Sequence, residues 1–166
     1  MKSEIRCTKL LDTPVGTLAI LANDFALVAL EFVPKGASRL EFTSSTQAQS
    51  HAEKAVEWLS EYFSGSKDGP AVALELQGTD FQKSVWAQIT SIGYGKTLTY
   101  GQIAARIGKP KASRAVGAAV GANPIPLIVP CHRVMGSSGK ITGYSGGDGI
   151  PTKMKLLELE RIAYVR

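Results

Sequence analysis

The spacing of hydrophobic residues changes character along the chain. From residue 5 to 33 they come in runs, "CTKLLDTPVGTLAILAN" and "FALVALEF", broken by turn residues at Pro14-Val15-Gly16 and Asn23-Asp24. Short apolar runs between such turns predict strands arranged as an antiparallel meander. Residues 34–50, "PKGASRLEFTSSTQAQS", are polar and turn-rich, which predicts a loop. From about Ser50 the period becomes helical, with Ala52, Ala55, Val56, Leu59 and Phe63 on one side and Gly65 as the stop. "SKDGP" reads as another loop, and "AVALEL" alternates as a strand does.

After Gln77-Gly78 the pattern is mainly helical. Phe81, Val85, Ile89 and Ile92 mark one apolar stripe, begun by Thr79 or Asp80 as cap. Thr99-x-x-Gln102 fits a capping box, followed by a stripe of Tyr100, Ile103, Ala104 and Ile107 that Gly108 ends. Beyond Gly108-Lys109-Pro110, "KASRAVGAAVGAN" predicts a further helix. Two short helices joined by a tight glycine-containing turn suggest a helix-turn-helix. The second helix is nearly bare of side chains: Ala112, Ser113, Ala115, Gly117, Ala118, Ala119 and Gly121. Two glycines weaken a helix by roughly 1 kcal/mol each, so something must compensate. A smooth helix could lie in a narrow groove with Arg114 projecting, or pack closely on a neighbouring helix; shape alone does not choose. "GKITGYSGGDG" is a glycine-rich loop with room for a short hairpin, and Pro151 opens a last helix with Met154, Leu157 and Ile162 toward the core. The fold class read here is α/β in the α+β sense, an N-terminal sheet-and-helix domain over 1–76 and a helical domain over 77–166.

Charge sharpens that division. Up to Leu76 there are seven Lys/Arg and ten Asp/Glu, a balance of −3; from Gln77 there are twelve against four, +8. A basic half beside an acidic one points to a polyanionic partner, nucleic acid first, or to a basic surface that only aids solubility. The apolar runs at Leu18–Leu30 and Ile125–Val129 are too short or too interrupted to span a bilayer, and "MKSEIRCTKL" has no signal-peptide core, so a cytosolic protein without membrane contact is expected. Cys7 and Cys131 are far apart with no CxxC, so neither a disulfide nor a metal site is expected. Zinc would have to gather both cysteines with His51 and His132, without ligand spacing.

The candidate chemistry sits in "NPIPLIVPCHRV". A nucleophilic cysteine needs something to lower its pKa, and His132 is next to Cys131. In an extended segment neighbouring side chains point to opposite faces, so a His132 base needs an unusual backbone or a bridging water. An acid would orient the imidazole, with Asp80, Asp148, Glu158 and Glu160 as candidates in this half. Pro124, Pro126 and Pro130 stiffen the segment, and Asn123 can bond main-chain groups in a turn. Free cysteine is also a common buried hydrophobe, so on these grounds the residue is as much filler as nucleophile.

The residues that surround it carry a resemblance. "GTDFQKSVWAQI", "YGKTLTYGQIAARIG", "SRAVGAAVGANPIPLIVPCHRV", "GKITGYSGG" and "LLELE" make residues 77–166 resemble the O6-alkylguanine-DNA alkyltransferases. The first 76 residues share only the "DTPVGTL" hairpin. The resemblance implies a ribonuclease H-like N-terminal domain, a winged helix-turn-helix C-terminal domain, and no cofactor. It implies duplex DNA containing O6-alkylguanine as partner, and a monomer that can bind cooperatively, cytoplasmic and nucleoid-associated when on DNA. The alkylated base would be flipped into a pocket, and Cys131 would take its alkyl group irreversibly. His132 would accept the thiol proton through a water, and Glu160 would hold the imidazole. Tyr100 would donate to the guanine ring, the Ser145 N–H would meet O6, and the Cys131 and Val134 carbonyls would read the exocyclic amine. Tyr144 and Pro126 would line the alkyl pocket and Val120 would flank the base. The second helix, with Ala112, Ser113, Gly117 and Ala118, would enter the minor groove, Arg114 would fill the flipped nucleotide's place, and Asn123 would brace the hinge.

Some positions depart from the family pattern. Gly93 stands where proline is usual, Met135 replaces a β-branched residue, and Asp148–Thr152, expected beside the alkyl pocket, looks two residues longer. The zinc ligands of some animal members are absent. A DNA-binding module that recognises lesions without transfer, and a cysteine hydrolase, are the competing classes. The hydrolase is disfavoured because no oxyanion-hole motif is present.

Overall fold

The computed structural model describes residues 4–166, which divide into two compact units, one ending at Gln77 and one spanning Gly78–Arg166. In the first, strands β1 (Cys7–Thr13), β2 (Gly16–Ala22), β3 (Leu27–Phe32) and β4 (Phe42–Thr43) form an antiparallel sheet in the order β3-β2-β1-β4. The first hairpin closes tightly because Gly16 adopts φ 111°, and the Thr13 hydroxyl donates to the Gly16 carbonyl at 2.6 Å. Strand β2 is buried along Leu18–Ala22, with Leu18, Ala19, Ile20 and Ala22 fully inaccessible.

Helix α1 (Thr46–Phe63) presents Ala48, Ala52, Ala55, Leu59 and Tyr62, an apolar stripe at helical spacing, as its buried side. It starts four residues before Ser50, because the Ser45 hydroxyl accepts the Ala48 N–H as an N-cap. Two further expectations change. Residues 34–50 are not all loop: Phe42 and Thr43 pair with Thr8 and Cys7 as edge strand β4. "AVALEL" is not a strand; only Leu74 bridges to Leu27, through Leu27 N–H to Ala73 O and Glu75 N–H to Leu27 O, both 2.9 Å. Alternation reported the half-buried surface there, but the backbone has only one residue of β3 to pair with.

In the second unit α2 (Asp80–Thr90) is capped by Thr79 in a reciprocal box with Gln82, and α3 (Tyr100–Arg106) by Thr99 with Gln102. Strand β5 (Leu98–Thr99) pairs in parallel with β6 (Val134–Met135). Helix α4 (Ser113–Gly121) buries Val116, Ala119 and Val120 and packs on α2 and α3. The Trp86 indole of α2 donates to the Ala119 carbonyl at 2.8 Å, pinning α4. Arg114, Ala115, Ala118 and Gly121 remain exposed on the other side. The bare helix therefore does both things that its composition allowed: one face packs closely and the other is smooth.

Helix α5 (Ile150–Leu159) opens with Pro151 and buries Leu156 and Leu157. Met135, Ile141, Leu157 and Ile162 form an apolar cluster, with Met154 and Tyr164 against it. The glycine-rich loop makes no hairpin of its own. Its partner is the C-terminal segment, through Ile141 N–H to Val165 O at 2.8 Å and Val165 N–H to Gly139 O at 2.9 Å. Among the described residues no helix is long and apolar enough to cross a membrane.

Candidate active site

The segment between α4 and β6 is held by its own backbone and by one side chain. Asn123 donates Nδ2–H to the Val129 carbonyl at 2.8 Å, while its Oδ1 accepts the Ile125 N–H at 3.0 Å. Val129 N–H closes on Ile125 O at 2.9 Å, which places Leu127 in the left-handed region at φ 72° although it is buried. A leucine in that conformation is strained, and the surrounding bonds hold it there.

Cys131–Arg133 then forms a single 3₁₀ turn, with Arg133 N–H bonded to Pro130 O at 2.9 Å. The segment is thus not extended, the case in which neighbouring side chains would point to opposite faces. Three residues per turn separate neighbouring side chains by a third of a rotation rather than a half. His132 thus turns inward, fully buried, and its Nε2 lies 2.7 Å from Oε1 of Glu160, the residue that ends α5. Of the four candidate acids Glu160 is the one that the fold brings to His132.

Arg133 joins the same carboxylate, which sequence reasoning missed although the residue stands in the Pro-Cys-His-Arg-Val run. Its Nε donates to Oε2 at 2.9 Å, its NH2 to Oε1 at 2.8 Å, and its NH1 to Ile92 O at 2.7 Å. Gly95, at φ 73° in the turn after Gly93, adds its N–H to Oε2 at 3.1 Å. Burial alone would push Glu160 up, but the hydrogen bonds and charges of His132 and Arg133 hold its pKa at about 2. Glu160 is therefore an acceptor only, so His132 carries its proton on Nε2. Burial also lowers the pKa of His132, partly countered by Glu160, which favours a neutral imidazole.

Cys131 is 6% exposed, and burial pushes its thiol up from the usual range. Hydrogen bonds from Asn123 and Tyr144 and the charge of Lys153 act the other way. Lys153 is the second group that the sequence concealed, since "TKMK" looks like an ordinary solvated helix start. It is 1% exposed, donates Nζ–H to the Val134 carbonyl at 2.6 Å, and is brought down by burial to about 8, with Cys131 opposing.

Cys131 opens on a cleft of about 570 Å³. Tyr100 of α3, Ser113, Arg114, Gly117 and Val120 of α4, and Thr142, Tyr144 and Ser145 of the glycine-rich loop share its lining. Gly117 faces the cleft, 3.8 Å from the Tyr100 ring when a Cβ is placed on it. Asn123, His132 and Glu160 stand outside the lining, in contact with or behind Cys131. Pro126, Val134, Ala112 and Ala118 do not line the cleft. Val134 is buried with its carbonyl on Lys153, Ala112 lies in a basic depression with Lys109 and Lys111, and Ala118 is exposed on α4. The long segment Asp148–Thr152 also contributes no lining residue; it runs into the first turn of α5 instead, with Asp148 N–H bonded to Thr152 Oγ1 at 2.9 Å.

Comparison with known proteins agrees along nearly the whole chain. Residues 80–162 match the family model described as 6-O-methylguanine DNA methyltransferase, DNA binding domain, and residues 5–76 match its ribonuclease-like domain. A methylated-DNA–protein-cysteine methyltransferase of Mycobacterium bovis is 46% identical over 91% of this chain and 90% of its own. One of Methanosarcina barkeri is 43% identical over 91% and 94%. The crystal structure of Mycobacterium tuberculosis OGT in complex with DNA is 47% identical, with a TM-score of 0.79 over 93% of this chain and 92% of that one. A thiol at the base of a cleft beside a helix-turn-helix, with relatives of this kind in both units, leads to one conclusion: the chain belongs to the methylated-DNA–protein-cysteine methyltransferase family.

Proposed function

We propose that this protein repairs O6-alkylguanine in duplex DNA by moving the alkyl group to Cys131, once per molecule. The observation that carries the reading is the position of the thiol: it faces a cleft walled by α4 and is backed by His132 and Glu160. The exposed small residues of α4 suit close approach to the minor groove, and Arg114 stands at the cleft edge, where it would fill the space of a flipped nucleotide.

In the reaction the Cys131 sulfur attacks the alkyl carbon as the bond from that carbon to O6 breaks, and the electron pair leaves with guanine. The thiol proton passes through a water to Nδ1 of His132, the nitrogen that holds a lone pair once Nε2–H is committed to Glu160. Arg133 keeps Glu160 ionised, so the imidazolium that forms meets a full negative charge. The phenol of Tyr100 donates to the guanine ring and the Ser145 N–H to O6, where negative charge develops. The Cys131 carbonyl reads the exocyclic amine, while the Val134 carbonyl, outside the cleft lining, accepts from Lys153. Asn123 braces the hinge, Tyr144 lines the alkyl pocket and Val120 flanks the base. The chain acts as a monomer without cofactor, in the cytoplasm where the chromosome is.

Replacing Cys131 with serine tests this reading. The variant is expected to bind methylated duplex as tightly as the parent while losing transfer completely. Retained transfer would assign the acceptor elsewhere, and unchanged binding with no transfer in the parent would make the protein a lesion binder.

A further inference from the structure

Tyr100 does not stand alone at the cleft. Its phenolic oxygen is 2.8 Å from Oγ1 of Thr142, and both residues share the cleft wall with Cys131. We propose that Thr142 is a positioning residue for alkyl transfer, its hydroxyl donating to the Tyr100 oxygen so that the Tyr100 O–H is aimed at the departing guanine. The proposal rests on the reading of Tyr100 given above.

The surroundings fix both partners. Tyr100 is the first residue of α3, directly after its Thr99 cap, and its ring lies over the bare backbone of Gly117 on α4. Thr142 follows Ile141, whose side chain is in the apolar cluster and whose N–H is bonded to Val165 O at 2.8 Å. The Thr142 methyl rests over Gly136: a Cβ placed there would lie 3.1 Å from Thr142 Cγ2 and 3.1 Å from the Lys140 carbonyl. Seating the methyl on that glycine leaves the hydroxyl directed at Tyr100, so the rotamer is set by packing.

Each hydroxyl has one proton and two lone pairs. Between the two alone, either can donate to the other. With a guanine ring nitrogen as acceptor, the Tyr100 proton is committed to the base and only Thr142 can supply the proton between the two oxygens. As electrons flow into the leaving guanine, the Tyr100 O–H polarises toward it and its oxygen gains negative charge. A donor already aimed at that oxygen stabilises the change without reorganising, and hydrogen bonds in a chain strengthen one another. Thr142 gives up no proton; it is a hydrogen-bond donor throughout, and the thiol proton still ends on His132.

The test is single-turnover transfer from methylated duplex at saturating protein for Thr142→Val, Thr142→Ser, Tyr100→Phe and Thr142→Val combined with Tyr100→Phe, with duplex affinity and thermal melting measured alongside. Thr142→Val is expected to slow transfer roughly five- to tenfold, the worth of one hydrogen bond, with affinity and melting unchanged. Thr142→Ser should recover most of the lost rate. In the Tyr100→Phe background the valine should add little, because the oxygen it served is gone. An unchanged rate in Thr142→Val, an equal slowing in both backgrounds, or a serine variant as slow as valine would each overturn the proposal. A Tyr100→Phe variant that transfers as fast as the parent would instead refute the role of Tyr100, and with it this one.

Discussion

At the scale of single residues, a buried thiol above its usual pKa is a poor nucleophile until its proton is taken, and in the proposed mechanism the neutral His132 takes it. This has a kinetic signature. His132 is lowered below 6.5 by burial, so transfer should stay level from neutral pH to about 9 and fall only on the acid side, as the imidazole protonates. A thiolate formed before attack would instead give a rate rising about tenfold per pH unit toward the thiol pKa, which single-turnover rates across this range would reveal. Lys153 supplies a second outcome. An unfolded lysine near 10.5 binds its proton more tightly than the buried one near 8, so folding is penalised below pH 8 and recovers as pH rises from 8 to 10.5. The penalty is on the order of 3 kcal/mol at neutral pH, less about 1 kcal/mol for the bond to Val134. Lys153→Met should therefore melt higher at pH 7, with the gain shrinking above pH 8, yet transfer more slowly because a charge that favours the Cys131 thiolate is lost. Lower melting together with an unchanged rate would contradict both parts. Cys131, His132 and Glu160 were legible in the sequence, the first two from the motif and the third only through the resemblance. Lys153, Arg133 and Thr142 were not, because burial of a long charged side chain and the meeting of two hydroxyls are decided by tertiary packing.

Among the elements, those framed by local chemistry were readable and those framed by pairing partners were not. The capping boxes Thr79–Gln82 and Thr99–Gln102 fixed the starts of α2 and α3, since a side-chain oxygen needs only a backbone N–H three residues on. Strand β4 depends on β1, far away in sequence, and "AVALEL" had the pattern of a strand without a ladder to join. The 3₁₀ turn at Cys131 follows from a closed network of backbone bonds and was likewise out of reach. Helix α4 gives a prediction of its own. Arg114 is exposed at its start and reaches the cleft, while Trp86 holds the far end of the helix by the Ala119 carbonyl. Arg114→Ala should reduce single-turnover transfer from paired lesions by on the order of tenfold, because unpairing and unstacking the base cost a few kcal/mol that the arginine offsets. Binding to undamaged duplex, measured by titration, should fall much less. An equal loss in both would mean that Arg114 is only a phosphate contact.

Across the whole molecule the division of labour was visible first as charge, −3 up to Leu76 and +8 after it. The family models divide the chain between 76 and 80, and its contacts divide it after Gln77. The basic unit carries the helix-turn-helix, the cleft and each group assigned a part in the chemistry, whereas the first unit offers a well-formed sheet and helix and, among the described residues, none that lines the cleft. What the sequence could not convey at this scale is how three helices converge on one segment: Tyr100 from the start of α3 and Arg114 from α4 share the cleft with Cys131, and Glu160 from the end of α5 holds the adjacent His132. The direct test of that convergence is the intact mass of the protein after incubation with a duplex containing O6-methylguanine, followed by peptide mapping. The expected result is one added methyl group per molecule, on the Cys131 peptide, with guanine restored in the DNA. An unchanged protein mass beside intact lesion, or a methyl group on any other residue, would contradict the account.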